Sequence, residues 1–151
     1  MPEPLPAPTI RAASAADAPA IAGLMAQLGY GASEALIVRK LGILAAHSFD
    51  RVLLAEVDGV VAGVISLHVF ELFHAEGSVG RITSLVVDAG HRGSGVGQAL
   101  VAAADRFFIG QGCVRAEVTS GDHRPAAHAF YAAQGYVPDE RRFLKRYTHQ
   151  G

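Results

Sequence analysis

The stretch Arg81-Ile-Thr-Ser-Leu-Val-Val-Asp-Ala-Gly-His-Arg-Gly-Ser-Gly-Val-Gly97 decides how this chain is read. Its first half is apolar and β-branched and predicts a buried strand. A short turn, an arginine and three alternating glycines follow, and then an alanine-rich helix. Strand, glycine turn and helix start together make a geometry for holding phosphates. Backbone N–H groups left over at a helix N-terminus point outward with partial positive charge. Glycines let that backbone approach an anion with no Cβ in the way. The stretch therefore predicts a pyrophosphate-bearing ligand.

Three phosphate-binding patterns compete for it. A P-loop requires Gly-Lys-Ser/Thr, but Gly97 is followed by Gln98 and Ala99. A dinucleotide fingerprint requires G-x-G-x-x-G, and Gln98 stands where its third glycine belongs. Glu117 does lie about 20 residues onward, as that fingerprint asks. Yet the glycines come after a hairpin, with only one further strand–helix unit behind them, too little for a doubly wound sheet. The third pattern, Q/R-x-x-G-x-G/A, fits Arg92-Gly-Ser-Gly-Val-Gly97 and resembles the pyrophosphate loop of acyl-CoA-dependent N-acyltransferases.

Size and composition narrow the rest. At 151 residues the chain suits one domain, expected over 9–151 behind a loose proline-rich tail at 1–8. Half the residues are hydrophobic and 18% are charged, below the usual quarter, so a homodimer is a reasonable expectation. Net charge is -1 with no basic block of the kind nucleic acids select. The run Arg141-Arg-Phe-Leu-Lys-Arg146 alternates with apolar residues and predicts the solvated face of an edge strand. The single cysteine, Cys113, opens an apolar run and reads as a small core residue; a disulfide framework within the chain is excluded. There is neither a signal pattern nor an apolar run of membrane-spanning length, so the expected compartment is the cytoplasm.

Along the chain, Thr9–Ala12 predicts a strand and Ser14-x-x-Asp17 a capping box. Ile21, Leu24, Met25 and Leu28 repeat at helical spacing over about 16–28. A second helix follows Ser33, with Leu36, Ile37, Leu41 and Leu44 on one face. Strands at Arg51–Val57 and Val60–Leu72 flank the turn pair Asp58-Gly59, and Gly77–Asp88 is the next strand. A helix over Gly95–Ile109, a strand over Val114–Thr119 and a helix over Pro125–Gln134 follow. Short strands near Tyr136 and over Arg142–Tyr147 close the chain. The expected class is α/β: one mixed sheet in the order β-α-α-β-β-β-α-β-α-β-β, with helices on both faces.

That order, the Arg92–Gly97 loop and Ala127-His-Ala-Phe-Tyr-Ala-Ala-Gln-Gly-Tyr136 resemble the GNAT superfamily of acyl-CoA N-acyltransferases. The family's closing motif, A-x-x-F-Y-x-x-x-G-F/Y, is matched in full, and the resemblance spans about 9–147. It implies direct attack of an amine on the acetyl-CoA thioester, with acetyl-CoA as co-substrate and no covalent enzyme intermediate. By resemblance, the amides of Gly93, Ser94, Gly95, Val96 and Gly97 face the pyrophosphate and Arg92 adds charge. The family's central sheet splays at a bulge, and the pantetheine arm pairs there with Leu85, Val86 and Val87 like an added strand. One of those N–H groups would hold the thioester oxygen. Tyr131 is the expected proton donor to the departing thiolate, since a phenol with a pKa of about 10 keeps its proton at neutral pH.

Many relatives carry Glu where this chain has Thr83. The base for the amine then falls among Glu71, His74, Glu76, Glu117 or a water chain held by Thr83 or Ser84. No metal is expected, because His68 and His74 would lie about 20 Å apart on one extended strand. His91 is expected at the surface and His128 in helix packing. Leu67-His68, Ser120-x-x-x-Arg124 and Ala127-His128-x-Phe-Tyr together resemble aminoalkylphosphonate N-acetyltransferases, and Arg124 would meet an anionic substrate group or a CoA phosphate. The expected activity is N-acetylation of a primary amine. Two alternatives are a non-catalytic acyl-CoA sensor of the same fold, which the missing Glu favours, and a nucleotide-binding α/β module.

Overall fold

A computed structural model of the chain describes residues 7–118, 125–139 and 141–148. The chain divides into two compact units, Met1–Gly121 and Asp122–Gly151.

The first unit is built on a five-stranded sheet in sequence order. β1 (Thr9–Ala12), β2 (Asp50–Val57), β3 (Val60–Glu71) and β4 (Ser78–Val87) are antiparallel neighbours, and β5 (Cys113–Val118) runs parallel to β4. The β2–β3 turn forms where Asp58-Gly59 predicts it: both residues take positive φ, 52° and 76°, as a two-residue hairpin loop of this type requires. A 3-10 turn at Ala15–Asp17 precedes α1 (Ala18–Gln27), and the reciprocal Ser14–Asp17 capping box is present. α2 (Glu34–Ala45) starts at Ser33, whose hydroxyl accepts from Leu36 N at 3.1 Å. α3 (Val96–Gly110) connects β4 to β5, the crossover that a parallel pair needs.

The helices cover opposite faces of the sheet. Ile21 and Leu24 of α1 pack on Leu54, Val64 and Val86, with Ile37 and Leu41 of α2 against the same cluster. Successive residues of a strand point to opposite faces, so Gly63, Ile65 and Leu67 turn toward α3. Two glycines set how closely α3 sits. A Cβ at Gly63 would fall 2.9 Å from Val96 Cγ1, and one at Gly80 would lie 2.4 Å from the Phe108 ring. The two glycines thus receive opposite ends of the helix.

The second unit contains α4 (Pro125–Ala133). The expected closing strands near Tyr136 and over Arg142–Tyr147 do not form among the described residues. Tyr136 is used in terminating α4, and Pro138 has no N–H for a ladder. Phe143, Leu144 and Tyr147 remain exposed, so their alternation with basic residues buries no face. Among the described residues the sheet therefore has five strands where the sequence pattern suggests seven.

Candidate active site

Two irregularities of β4 coincide. Ser66 pairs with Ser84 and Leu67 with Ile82, so Thr83 has no partner on β3 and forms a bulge. On the other edge, β5 pairs with β4 from Ser78 only as far as Ile82. Beyond that point Leu85, Val86 and Val87 stay paired to β3. Their outward peptide groups meet no strand among the described residues. Thr83 Oγ1 lies 2.6 Å from Ser66 Oγ and donates to the Ser66 carbonyl at 3.2 Å, tying the bulge to β3.

The glycine loop continues directly from this edge. The Asp88 carboxylate accepts from Gly90 N at 3.1 Å and from Gln27 Nε2 at 2.8 Å. Gln27 also accepts from Ala89 N at 2.9 Å, so the end of α1 clamps the start of the loop. His91, expected at the surface, is partly buried, with Nδ1 3.0 Å from Asp88 Oδ2. The bonds from Gln27 and then from His91 hold the Asp88 carboxyl below the usual carboxylate range. Ser94 donates through its hydroxyl and its amide to the His91 carbonyl. Gly93 and Gly95 take φ of 79° and 85°, and a Cβ on either would stand in open space. Gly95 caps α3, and the first bond within the helix runs from Ala99 N to Gly95 O. The amides of Val96, Gly97 and Gln98 consequently have no acceptor inside the helix. Left-handed glycines, open space and a bare helix start fit a diphosphate.

A polar row crosses the sheet next to the bulge. Asp50 on β2 faces His68 on β3, His68 faces Arg81 on β4, and Arg81 faces Glu117 on β5. Directly opposed residues share a face, here the one carrying Val64. Asp50 bonds Nδ1 of His68 at 2.7 Å and Nδ1 of His47 at 3.0 Å. Arg81 is paired with Glu117 and lies over the Phe70 ring, 5.0 Å from its centroid.

In the second unit, Tyr131 stands one turn from the end of α4. Gly135, at φ 93°, ends the helix, with Tyr136 N bonded to Tyr131 O and Gly135 N to Ala132 O, both at 3.0 Å. These two bonds are the Schellman pattern. The Tyr131 and Tyr136 rings meet edge-on with centroids 6.0 Å apart, supplying the apolar contact that accompanies that motif.

A model of the acetyltransferase (GNAT) family matches residues 27–136. The chain belongs to the GNAT acetyltransferase family. Aminoalkylphosphonate N-acetyltransferase of Salmonella typhimurium is 38% identical over 89 residues, 58% of this chain and 57% of that protein. The chain thus matches a little over half the length of this curated relative. Among solved structures, a transcriptional regulator from Bacillus halodurans C-125 has a TM-score of 0.83 at 19% identity, over 93% of this chain and all of that one. Glucosamine-6-phosphate N-acetyltransferase from Arabidopsis thaliana has a TM-score of 0.80 at 20% identity, covering 94% and 99% of the two chains. At such identities the likeness shows the fold.

In this member of the GNAT family the sequence-predicted residues Leu85, Val86 and Val87 and the loop from Arg92 to Gly97 are continuous along the chain, at one end of β4. Tyr131 lies in the second unit, and Arg124 and Ser120 lie outside the described residues. Of the four candidate bases, Glu117 is occupied by Arg81, while Glu71, His74 and Glu76 are exposed at or just beyond the end of β3. Sequence reasoning missed Gln27 as the loop clamp and Asp50 as the partner of two histidines. Gln27 reaches Asp88 across 61 residues and Asp50 reaches His68 across 18, separations that no local pattern marks; only the His47–Asp50 contact is local.

Proposed function

We propose that the protein transfers the acetyl group of acetyl-CoA to a primary amine by direct attack within a ternary complex. The observation that carries this reading is the junction at Ile82 and Thr83. There the described pairing with β5 ends and β4 bulges from β3, so that among the described residues no strand pairs with the outward edge of Leu85–Val87, next to the glycine loop.

Acetyl-CoA supplies the thioester carbonyl that the amine attacks. The outward peptide groups of Leu85, Val86 and Val87 bind the pantetheine arm as a sheet edge binds an added strand. One of their N–H groups holds the carbonyl oxygen as it gains charge, a contribution of about 3 kcal/mol where such donors have been removed from other enzymes. The amides of Gly93, Ser94, Gly95, Val96 and Gly97 take the diphosphate, and exposed Arg92 adds positive charge. Tyr131 gives its phenolic proton to the departing sulfur, a role carried over from the F-Y-x-x-x-G-Y motif. Arg124 is assigned to a CoA phosphate or to an anionic group on the acceptor. The name of the Salmonella relative directs the acceptor search toward amines bearing such a group. The single cysteine and modest charge fit a reducing cytoplasm. Exposed Phe143, Leu144 and Tyr147 offer apolar surface to a second copy.

The test is thiol release from acetyl-CoA by the purified full chain across a panel of primary amines that includes aminoalkylphosphonates. Release with an acetylated product is expected. Binding of coenzyme A without turnover on any amine would leave the non-catalytic sensor. Stabilisation by NAD or ATP and not by coenzyme A would overturn the reading altogether.

A further inference from the structure

An alkylamine with a pKa of about 10.4 is almost wholly protonated at neutral pH and cannot attack until it loses a proton. The bulge residue is Thr83, a neutral hydroxyl, and Glu117 is paired with Arg81. Another group must take that proton.

We propose that Nε2 of His68 is the proton acceptor for the amine, with Asp50 as its positioning residue; this rests on the acetyl-transfer reading above. The Asp50 side chain is only 9% exposed, and its Oδ1 lies 2.7 Å from His68 Nδ1. A buried carboxylate in that position takes the Nδ1 proton as its hydrogen bond and leaves the lone pair on Nε2. The His68 side chain is 42% exposed, so the ring is open on its far side. Phe70 stacks against it, with ring planes 25° apart, and holds its orientation.

Position along the strand agrees. His68 is two residues from Ser66, about 7 Å along β3, and the Ser66 hydroxyl contacts the Thr83 bulge. The imidazole thus sits one side-chain row from the bulge, on the face of the sheet that α1 and α2 cover at its other end. The charged and titratable groups around it are Asp50 from β2, His47 from the connection before β2, and Arg81 from β4. Glu117 of β5 reaches it only through Arg81.

The step balances. The substrate ammonium gives one proton to Nε2, and the nitrogen lone pair forms the bond to the carbonyl carbon. The C–S bond breaks, the sulfur takes the Tyr131 proton, and the second amine proton restores the phenol. His68 then releases its proton to solvent, so one proton leaves per turnover.

The experiment compares wild type, His68→Gln and Asp50→Asn, using acetyl-CoA and whichever amine of the panel wild type acetylates fastest. At neutral pH, His68→Gln should lower kcat by about 10²–10⁴-fold with the KM for acetyl-CoA unchanged. The deficit should shrink as pH approaches the amine's own pKa, where solvent already holds free amine. Asp50→Asn should reduce kcat less and shift the ring tautomer. In wild type, nitrogen NMR should find His68 carrying its proton on Nδ1, a measurement independent of how well the variants fold. Unchanged kcat in His68→Gln, a deficit equal at all pH values, or a proton on Nε2 would overturn the proposal while leaving acetyl transfer standing. Absence of any wild-type turnover would remove both.

Discussion

Gly63 on β3 lies directly beneath Val96, the first residue of α3. A Cβ there would fall 2.9 Å from Val96 Cγ1, 3.0 Å from Leu100 Cδ1 and 3.1 Å from the Val86 carbonyl oxygen. The helix start is held against the end of β4 because one side chain is missing. Gly63→Ala should therefore push the first turn of α3 outward. We expect a loss of about 1–3 kcal/mol in folding stability, together with weaker coenzyme A binding. Thermal melts and titration calorimetry of the same variant check the two effects.

Gly95 makes a different case, because a Cβ there meets nothing and only its φ of 85° opposes substitution. Gly95→Ala should cost about 1–2 kcal/mol of stability from the left-handed backbone. The added methyl would also stand in the open space assigned to the diphosphate. Coenzyme A affinity should fall at least tenfold, about 1.4 kcal/mol. Calorimetry showing wild-type affinity in a folded Gly95→Ala protein would sink the loop assignment.

Tyr131→Phe keeps the ring that packs edge-on against Tyr136 and the backbone bonds that end α4. The phenolic hydroxyl is lost, and with it the proton assigned to the leaving sulfur. A fall in kcat of about 10²–10⁴-fold is expected, with acetyl-CoA KM little changed. Turnover close to wild type in steady-state assays would withdraw the proton-donor role.

Asp17 anchors the entry to α1 rather than the chemistry. Arg11 donates to both of its oxygens, at 2.8 and 2.7 Å, and Ser14 N donates at 2.8 Å. The Arg11 bonds chiefly, with help from Ser14, hold its carboxyl well below the usual carboxylate range. A folded pKa below the unfolded one means stability present above the unfolded value, about pH 3.9, and lost as pH falls further. Asp17→Asn should cost about 2 kcal/mol at pH 7, and the gap from wild type should narrow at about pH 2.5, where the carboxyl of the unfolded wild-type chain takes up a proton that the folded one does not. Urea denaturation at the two pH values measures this.

Much of the fold was legible because its signals are local. Asp58-Gly59 admits few structures other than a tight hairpin, and Ser33 and Ser14 mark helix starts by bonds spanning three residues. The motif Tyr131-x-x-x-Gly135-Tyr136 has a local meaning too, since its spacing is that of a Schellman ending. The closing strands do not form among the described residues, for the converse reason. Alternation of Phe143 and Leu144 with arginines describes a strand only if a neighbouring edge pairs with it, and among the described residues none does.

The order of elements, the glycine loop and the family were determined by residues close together in sequence, where turn geometry, capping and helical period act over a few bonds. Tertiary structure alone decided which residues meet across strands. The unpaired Thr83 exists only in the register of β3 against β4, and Gln27 reaches Asp88 across 61 residues. Asp50 finds His68 because two strands lie side by side. Register and packing are set by burial of the whole core, which no short stretch of chain contains.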